Sequence, residues 1–267
     1  MFDYVFVFIA GLITALATGI GAIPLFYTGT ISSRQKVGLW GVASGIMVAA
    51  SVFGLFREAW LENSVLPIIV GGVVGGILVY TSSELLDHLS VNPTDLPNAD
   101  FDQLLLILGV LTVHSFPEGV AVGVSFAELG LDGGLSLLGM SVPLLAVTMT
   151  VAISIHNIPE GLAVSIPLRN LGVSRWSLVG WSVFTSLPQP VGAVLAFGFV
   201  QYAESFLPYG FGFAGGAMIY LVFTEFFPEA VEEGTDLAEG PWPALLGSFV
   251  VAGAAMTGFL LAGSEFL

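Results

Sequence analysis

Long apolar segments separated by short polar connections recur along the whole chain. Each is long enough to cross the roughly 30 Å hydrocarbon core of a bilayer as a helix. Eight such segments predict membrane-spanning helices over approximately 4–27, 37–59, 65–88, 101–126, 141–168, 176–200, 207–231 and 243–263. Because the connections leave no room for a soluble domain, we predict that residues 1–267 form a single transmembrane domain.

The composition agrees with a membrane protein. Hydrophobic residues make up 55% of the 267 residues and charged residues only 9%, with a mean hydropathy of +0.94. A soluble domain carries roughly 25% charged residues. There is no cysteine, which excludes disulfides and thiolate metal sites. The first apolar run follows Asp3 and no basic residue, so we interpret it as a retained span and not as a secretory signal.

The charge balance is strongly acidic, with 20 Asp and Glu against 5 Lys and Arg. Many acids fall in the predicted loops 89–100 and 232–242, where they are typical of solvated surface. Adaptation to high salt, and hence a halophilic prokaryotic source, would give the same pattern. An acidic loop that concentrates cations near a pore would also give this pattern. At this charge, nucleic acid and anionic lipid headgroups are not expected as partners.

The few basic residues predict the orientation in the membrane. Arg34 and Lys36 lie between the first and second spans, and Arg169 and Arg175 between the fifth and sixth. Both loops fall on the same side, and only Arg57 falls opposite. Since basic loops stay in the cytoplasm, we expect a multi-pass protein of the cell membrane with both termini outside.

Small residues recur at four-residue spacing in GVASG (41–45), GGVVGG (71–76) and GFAGG (212–216). Such faces let membrane helices approach closely. They are typical of packing within one chain. The alternative is a subunit interface on one of these faces, and we predict a homodimer.

Two nearly identical decapeptides interrupt the apolar pattern: VHSFPEGVAV at 113–122 and IHNIPEGLAV at 155–164. In each, His and Glu are spaced i, i+4 and share one helix face. An ionisable group costs about 2.5–3.5 kcal/mol at the centre of a membrane helix. One such pair is explained equally well by an interhelical hydrogen bond. Two opposed pairs instead indicate a site for a divalent transition metal.

Each decapeptide also contains a proline, Pro117 or Pro159, followed by a glycine after the glutamate. Proline removes a backbone donor and frees a carbonyl one turn earlier. Broken helices near the midplane are typical of transporter binding sites. We therefore expect the fourth and fifth helices to be interrupted at these prolines, in the membrane interior.

Other spans contribute polar groups with two possible roles. Met47 in SGIMVAAS is either core filler or a metal ligand. Thr185, Ser186 and Gln189 lie between prolines in the sixth span, where they are not expected to face lipid. Four residues near the cytoplasmic ends of the third and seventh spans are either ordinary helix-end residues or an exit station for the metal: Asp87, His88, Glu225 and Glu229.

With these motifs the chain resembles the ZIP (Zrt/Irt-like) family of divalent metal transporters, in particular its prokaryotic GufA- and ZupT-like branches. HSFPEG and HNIPEG carry the resemblance most specifically, and SGIMVAAS, SLPQP and FTEFFPEA support it. It covers essentially the whole chain. It implies an all-α integral membrane protein with eight transmembrane helices in a 3+2+3 arrangement, in which helices 1–3 and 6–8 form an inverted repeat.

The resemblance also implies a two-metal centre between the fourth and fifth helices. The residues at the matching positions are Met47, His114, Ser115, Glu118, His156, Asn157, Glu160 and Gln189. Two of them depart from the family pattern, since Ser115 stands where many members have asparagine and Gln189 where relatives have glutamate. Two carboxylates neutralise one divalent ion. We therefore predict one well-occupied site, formed by Met47, His114, Glu118 and Glu160 with His156 adjacent.

The function predicted from this is import of Zn²⁺ into the cytoplasm by an elevator-type motion of helices 1, 4, 5 and 6 against the other four. Cd²⁺, Fe²⁺, Mn²⁺ and Co²⁺ are alternative substrates for such ligands. A membrane metalloenzyme is a second reading. The di-iron Glu-x-x-His order and the HExxH motif are both absent, so no enzyme activity is expected. A carrier of a non-metal solute is a third possible function.

Overall fold

The computed structural model describes residues 2–27, 31–61, 65–89, 114–131, 134–170 and 172–265. The predicted loop at 89–100 and the first half of the predicted fourth span lie almost entirely outside these ranges. Within them the chain is predominantly helical, as expected where the bilayer offers no water to unpaired backbone groups.

The first part of the chain forms four helices. They are α1 (Phe2–Ala22), α2 (Ser33–Ala49), α3 (Arg57–Leu61) and α4 (Val65–Leu89). A 3₁₀ turn, Ile23–Phe26, ends the first span. A π-helical segment, Ala50–Phe56, joins α2 to α3, so the second span is continuous from Ser33 to Leu61.

The described residues from 114 onward contain seven α-helices and one short hairpin. The helices are α5 (114–125), α6 (Leu144–Asn170), α7 (Arg175–Thr185), α8 (Pro188–Tyr202), α9 (Leu207–Leu221), α10 (Phe227–Glu233) and α11 (Trp242–Glu265). A π-helical segment, Val222–Phe226, joins α9 to α10. Between α5 and α6 an antiparallel hairpin pairs β1 (Leu135–Leu137) with β2 (Met140–Val142), a small exception to the all-α expectation.

Six helical stretches among the described residues are long and apolar enough to cross a membrane. They are Phe2–Phe26, Ser33–Leu61, Val65–Glu84, Arg175–Tyr202, Glu204–Glu233 and Trp242–Ala262. The helix α6 has 27 residues, which is long enough. Its hydropathy is lower because it carries His156, Asn157 and Glu160. Thus α5 and α6, which carry the duplicated motif, are the two predicted spans not among the six.

The helix α6 runs through Pro159 without a break. The expectation of a broken fifth helix was therefore wrong, because neighbouring groups in a membrane bundle can satisfy the one freed carbonyl. Pro117 lies in the first turn of the described part of α5, so the expected interruption of the fourth helix falls at the edge of the described residues and stays a prediction. An interruption occurs instead at residues 186–187, where the sixth predicted span divides into α7 and α8 just before Pro188.

Glycines set the closest contacts between helices, and these contacts lie within the chain. Gly45 of α2 faces the backbone of Phe249 in α11, and Gly216 of α9 faces the backbone of Gly72 in α4. All three small-residue stretches noted in the sequence are used in these two pairings. They support packing within one chain and not a subunit interface on these faces.

Replacing Gly216 by Ala should destabilise the fold. The added Cβ would overlap the Gly72 backbone, and overpacking of this kind typically costs about 1–3 kcal/mol. Gly180→Ala in α7 is the matched control, since nothing lies within 4 Å of its added Cβ. Thermal unfolding in detergent should show a lower Tm for Gly216→Ala and an unchanged or higher one for Gly180→Ala. Equal values would contradict the packing described here.

Candidate metal centre

Facing turns of α5 and α6 bring three ionisable side chains together deep inside the protein. One ligand atom from each of Glu118, His156 and Glu160 lies within 4.8 Å of the other two. All three residues are almost completely buried, with at most 1% exposed surface. The i, i+4 spacing in α6 places His156 and Glu160 on the face that meets Glu118 of α5.

Glu118 is held by contacts at both carboxylate oxygens. Its Oε1 lies 3.1 Å from Nε2 of His156, and its Oε2 accepts a hydrogen bond of 2.6 Å from Nε2 of Gln189. Gln189 belongs to the first turn of α8, directly after the interruption of the sixth span. The break in that span therefore places the start of α8 against the centre.

A second amide connects this network to α1. Nδ2 of Asn157 donates to Oε1 of Gln189 at 3.1 Å and to the carbonyl oxygen of Thr14 at 2.8 Å. Hydrogen bonds thus link four helices through side chains that are all buried. A network of this kind fixes the orientation of each member in a low-dielectric interior.

Several buried atoms of the motif residues have no hydrogen-bond partner among the described residues. They are Nδ1 of His156, Oε2 of Glu160, Oδ1 of Asn157 and Nε2 of His114. Leaving a buried donor or acceptor unsatisfied costs about 1–3 kcal/mol. Two of these atoms belong to His156 and Glu160 of the three-residue group, where a bound ligand would satisfy them.

The charge at this point leads to the same conclusion. Glu118 and Glu160 would repel each other as carboxylates. The five Lys and Arg residues of the chain lie at 34, 36, 57, 169 and 175, all near helix ends. A bound cation or a shared proton has to offset the repulsion. Carboxylate oxygen and imidazole nitrogen are ligands that zinc and similar ions bind.

His114 is not part of the three-residue group. Its Nε2 lies 3.8 Å from Oε1 of Glu225, in the π-helical segment after α9. Glu225 also accepts a 3.0 Å hydrogen bond from Oγ of Ser83. Glu225 therefore lies beside a motif histidine, away from the end of its helical stretch.

Comparison with known proteins shows the family of this chain. The sequence model of the family described as "ZIP Zinc transporter" matches residues 94–261. The chain belongs to the ZIP family. It is 29% identical to "Zinc transporter GufA" of Myxococcus xanthus over 237 residues, covering 85% of this chain and 89% of that protein. It is 30% identical to "Zinc transporter ZupT" of Chlorobaculum parvum over 281 residues, covering 96% and 98%.

A plant relative is more similar but much longer. The chain is 40% identical to "Putative zinc transporter At3g08650" of Arabidopsis thaliana over 224 residues. The match covers 83% of this chain and 34% of that protein, so the chain spans about a third of the plant relative's length. The relatives GufA and ZupT place this ZIP protein in a prokaryotic GufA- or ZupT-like branch.

The remaining predicted site residues of this ZIP chain divide into three groups. Met47 and Ser115 are fully buried, Met47 at the end of α2 just before the π-helical segment and Ser115 beside His114 in α5. Glu229 lines a cavity described below. The side chains of Asp87 and His88 lie outside the described residues.

The sequence did not predict the polar contacts that connect α1, α6 and the sixth span around the centre. Thr14 supplies the carbonyl for Asn157, Thr18 Oγ1 lies 2.8 Å from Ser186 Oγ, and Ser165 Oγ lies 2.8 Å from Ser182 Oγ. The available signal was the run of Thr and Gly in TALATGIGA of α1, residues that are small, polar and out of place on a lipid face.

Zn²⁺ should stabilise the purified protein through this centre. A ligand that binds the folded state alone adds about 2.7 kcal/mol at a hundredfold excess over its Kd, so Tm should rise with Zn²⁺. Glu160→Gln should reduce the rise, since it removes a charge and leaves an amide at the site. Glu204→Gln, on an exposed turn, is the control and should keep it. Equal responses of both variants would count against the site.

Proposed function

We propose that this protein imports a divalent transition-metal ion across the cell membrane, with Zn²⁺ as the preferred substrate. The observation that carries the proposal is the buried group of Glu118, His156 and Glu160, whose ligand atoms lie within 4.8 Å of one another. Membership in the ZIP family and relatives named as zinc transporters support it. Cd²⁺, Fe²⁺, Mn²⁺ and Co²⁺ are secondary substrates, because the same ligand types accept them.

The route toward the cytoplasm continues through His114 and Glu225. His114 lies one turn before Glu118 on α5, and its Nε2 faces Glu225 at 3.8 Å. An ion leaving Glu118 can therefore exchange one carboxylate for an imidazole and then for a second carboxylate. Each step replaces one ligand at a time, so the ion is never without coordinating ligands in the low-dielectric interior.

The centre holds one ion at a time. The Gln189 amide donates to Oε2 of Glu118 and so occupies the side of the carboxylate that a second cation would need. Glu118 and Glu160 together balance one divalent charge. Gln189 adds no further charge.

The packing of the helices supports the 3+2+3 arrangement with an inverted repeat. In such a repeat the second and eighth spans correspond to the seventh and third. Here α2 packs on α11 and α9 packs on α4, both through glycines. The second and seventh spans also each contain a π-helical segment, Ala50–Phe56 and Val222–Phe226.

The distribution of close contacts also supports an elevator-type motion. Backbone-to-backbone approaches join α1, α5, α6 and α8 through Gly161, Gly119 and Gly11. Others join α2 to α11 and α4 to α9. Where a glycine of one set faces the other set, as Gly54 faces Met149 and Gly210 faces Val124, it meets side chains and not backbone. Two sets that are tight inside and held together by side chains can slide as units.

The other two readings are less well supported. ZIP proteins are transporters and not enzymes, which argues against a metalloenzyme. Two buried carboxylates close to an imidazole favour a metal ion over a non-metal solute, because these are ligands that zinc and similar ions bind. Such a carrier would be insensitive to chelators.

Metal uptake into proteoliposomes tests the proposal. Glu118→Ala should abolish Zn²⁺ uptake, since it removes half of the charge that balances the ion, and His114→Ala should do so by interrupting the route. Glu128→Gln, in the turn after α5, is the control and should transport normally. Normal uptake by a folded Glu118→Ala protein, or wild-type uptake that chelators do not change, would refute the proposal.

Gln189→Glu tests the single-ion centre. Restoring a carboxylate should raise the Zn²⁺ bound by purified protein from one ion per chain to two, because the added charge compensates a second ion. Gln201→Glu is the control, since Gln201 is exposed and donates only to the carbonyl of Ala127. Isothermal titration of each variant measures the stoichiometry. Two ions bound by the wild type would contradict the prediction.

A further inference from the structure

A cavity of about 240 Å³ lies between α2, α6 and α10. Lys36 and Trp40 of α2, Pro159 of α6, and Glu229 and Glu233 of α10 line it. Pro159 directly precedes the metal-centre residue Glu160 in α6. The cavity thus extends from the helix ends that carry Lys36 and Glu233 to the turn that holds the centre. Its position makes it the exit toward the side that the basic loops assign to the cytoplasm.

Lys36 places a fixed positive charge on the wall of this exit. Its Nζ donates to both carboxylate oxygens of Glu233, at 2.8 and 2.9 Å. The two side chains are only 21% and 26% exposed. The neighbouring pair of Arg34 and Glu239 is longer, at 3.2 Å, and its side chains are 70% and 41% exposed. The first pair is therefore less screened by water and salt than the second.

The backbone fixes Lys36 at this position. Ser32 caps the N-terminus of α2, and Gln35 completes the reciprocal capping box. This cap sets where α2 begins and hence which of its residues face α10. Lys36 lies in the first turns, beside Glu233 at the end of α10, while Arg34 points to the more exposed Glu239.

Without Lys36, the exit would present two carboxylates to a departing divalent ion. Glu229 and Glu233 line the same cavity one turn apart, and oxygen ligands of this kind bind divalent cations. A transport pathway needs sites that bind weakly enough for the ion to leave. The ammonium group already satisfies Glu233, so an incoming ion gains one free carboxylate and meets a positive charge.

We propose that Lys36 is a positioning residue for release: through its ion pair with Glu233 it prevents the exit carboxylates from retaining the metal. This inference rests on the proposed function, because it assigns a step of the same transport. It predicts that loss of Lys36 slows turnover through tighter binding and not through loss of binding.

The test compares Lys36→Gln with wild type in two assays. In proteoliposomes, the maximal rate of Zn²⁺ uptake should fall several-fold while KM stays equal or decreases. In titrations of purified protein, an additional Zn²⁺ should bind per chain. Lys36→Arg should restore both values because it keeps the charge. Arg34→Gln, two residues away in an exposed pair, is the control and should behave as wild type.

A double variant distinguishes slow release of the ion from destabilisation of the fold by loss of the ion pair. Lys36→Gln combined with Glu233→Gln removes both the ammonium and the carboxylate that it masks, so the rate should recover and the additional ion should disappear. The proposal is overturned if Lys36→Gln matches Arg34→Gln in both assays. It is also overturned if the rate falls with no additional ion bound. Absence of uptake by the wild-type protein would instead refute the proposed function itself.

Discussion

The repulsion between Glu118 and Glu160 is the constraint on which the rest of this structure depends. Two carboxylates at most 1% exposed, with ligand atoms within 4.8 Å, are unfavourable unless a cation or proton joins them. Around them, His156 supplies an imidazole and Gln189 an amide donor. Under the proposed function, the two carboxylates and the imidazole are ligands already held in place before the ion arrives. Such preorganisation reduces the entropy cost of binding.

Glycine packing makes this arrangement possible. The centre needs groups from α1, α5, α6 and α8 at one point, so these helices have to approach more closely than ordinary side chains allow. Gly161 meets the backbone of Thr18, and Gly119 meets that of Gln189. Each of these glycines follows a motif glutamate directly. The residue that removes steric bulk and the residue that supplies charge are therefore adjacent in the chain.

Much of the centre was predictable because helical spacing is local. The i, i+4 pattern put His156 and Glu160 on one face, and the duplicated motif indicated that α5 would face α6. The neighbour of His114 was not predictable, since its contact with Glu225 depends on how segments more than a hundred residues apart pack. The Thr and Gly residues of α1 indicated a buried face, but the partner of Asn157 was not predictable, because its hydrogen bond ends on the backbone carbonyl of Thr14. The effect of Pro159 was misjudged, because a single freed carbonyl does not end a membrane helix.

Under the proposed function, the hydrogen bond from Gln189 to Glu118 also limits how tightly the centre can hold an ion. An ion that coordinates Oε2 has to displace this amide, and a hydrogen bond to a charged group contributes about 1.5–3 kcal/mol. That corresponds to roughly a tenfold to hundredfold loss of affinity at this oxygen. A storage protein would gain by eliminating such competition. A transporter has to release every ion that it binds, so moderate affinity allows a higher transport rate.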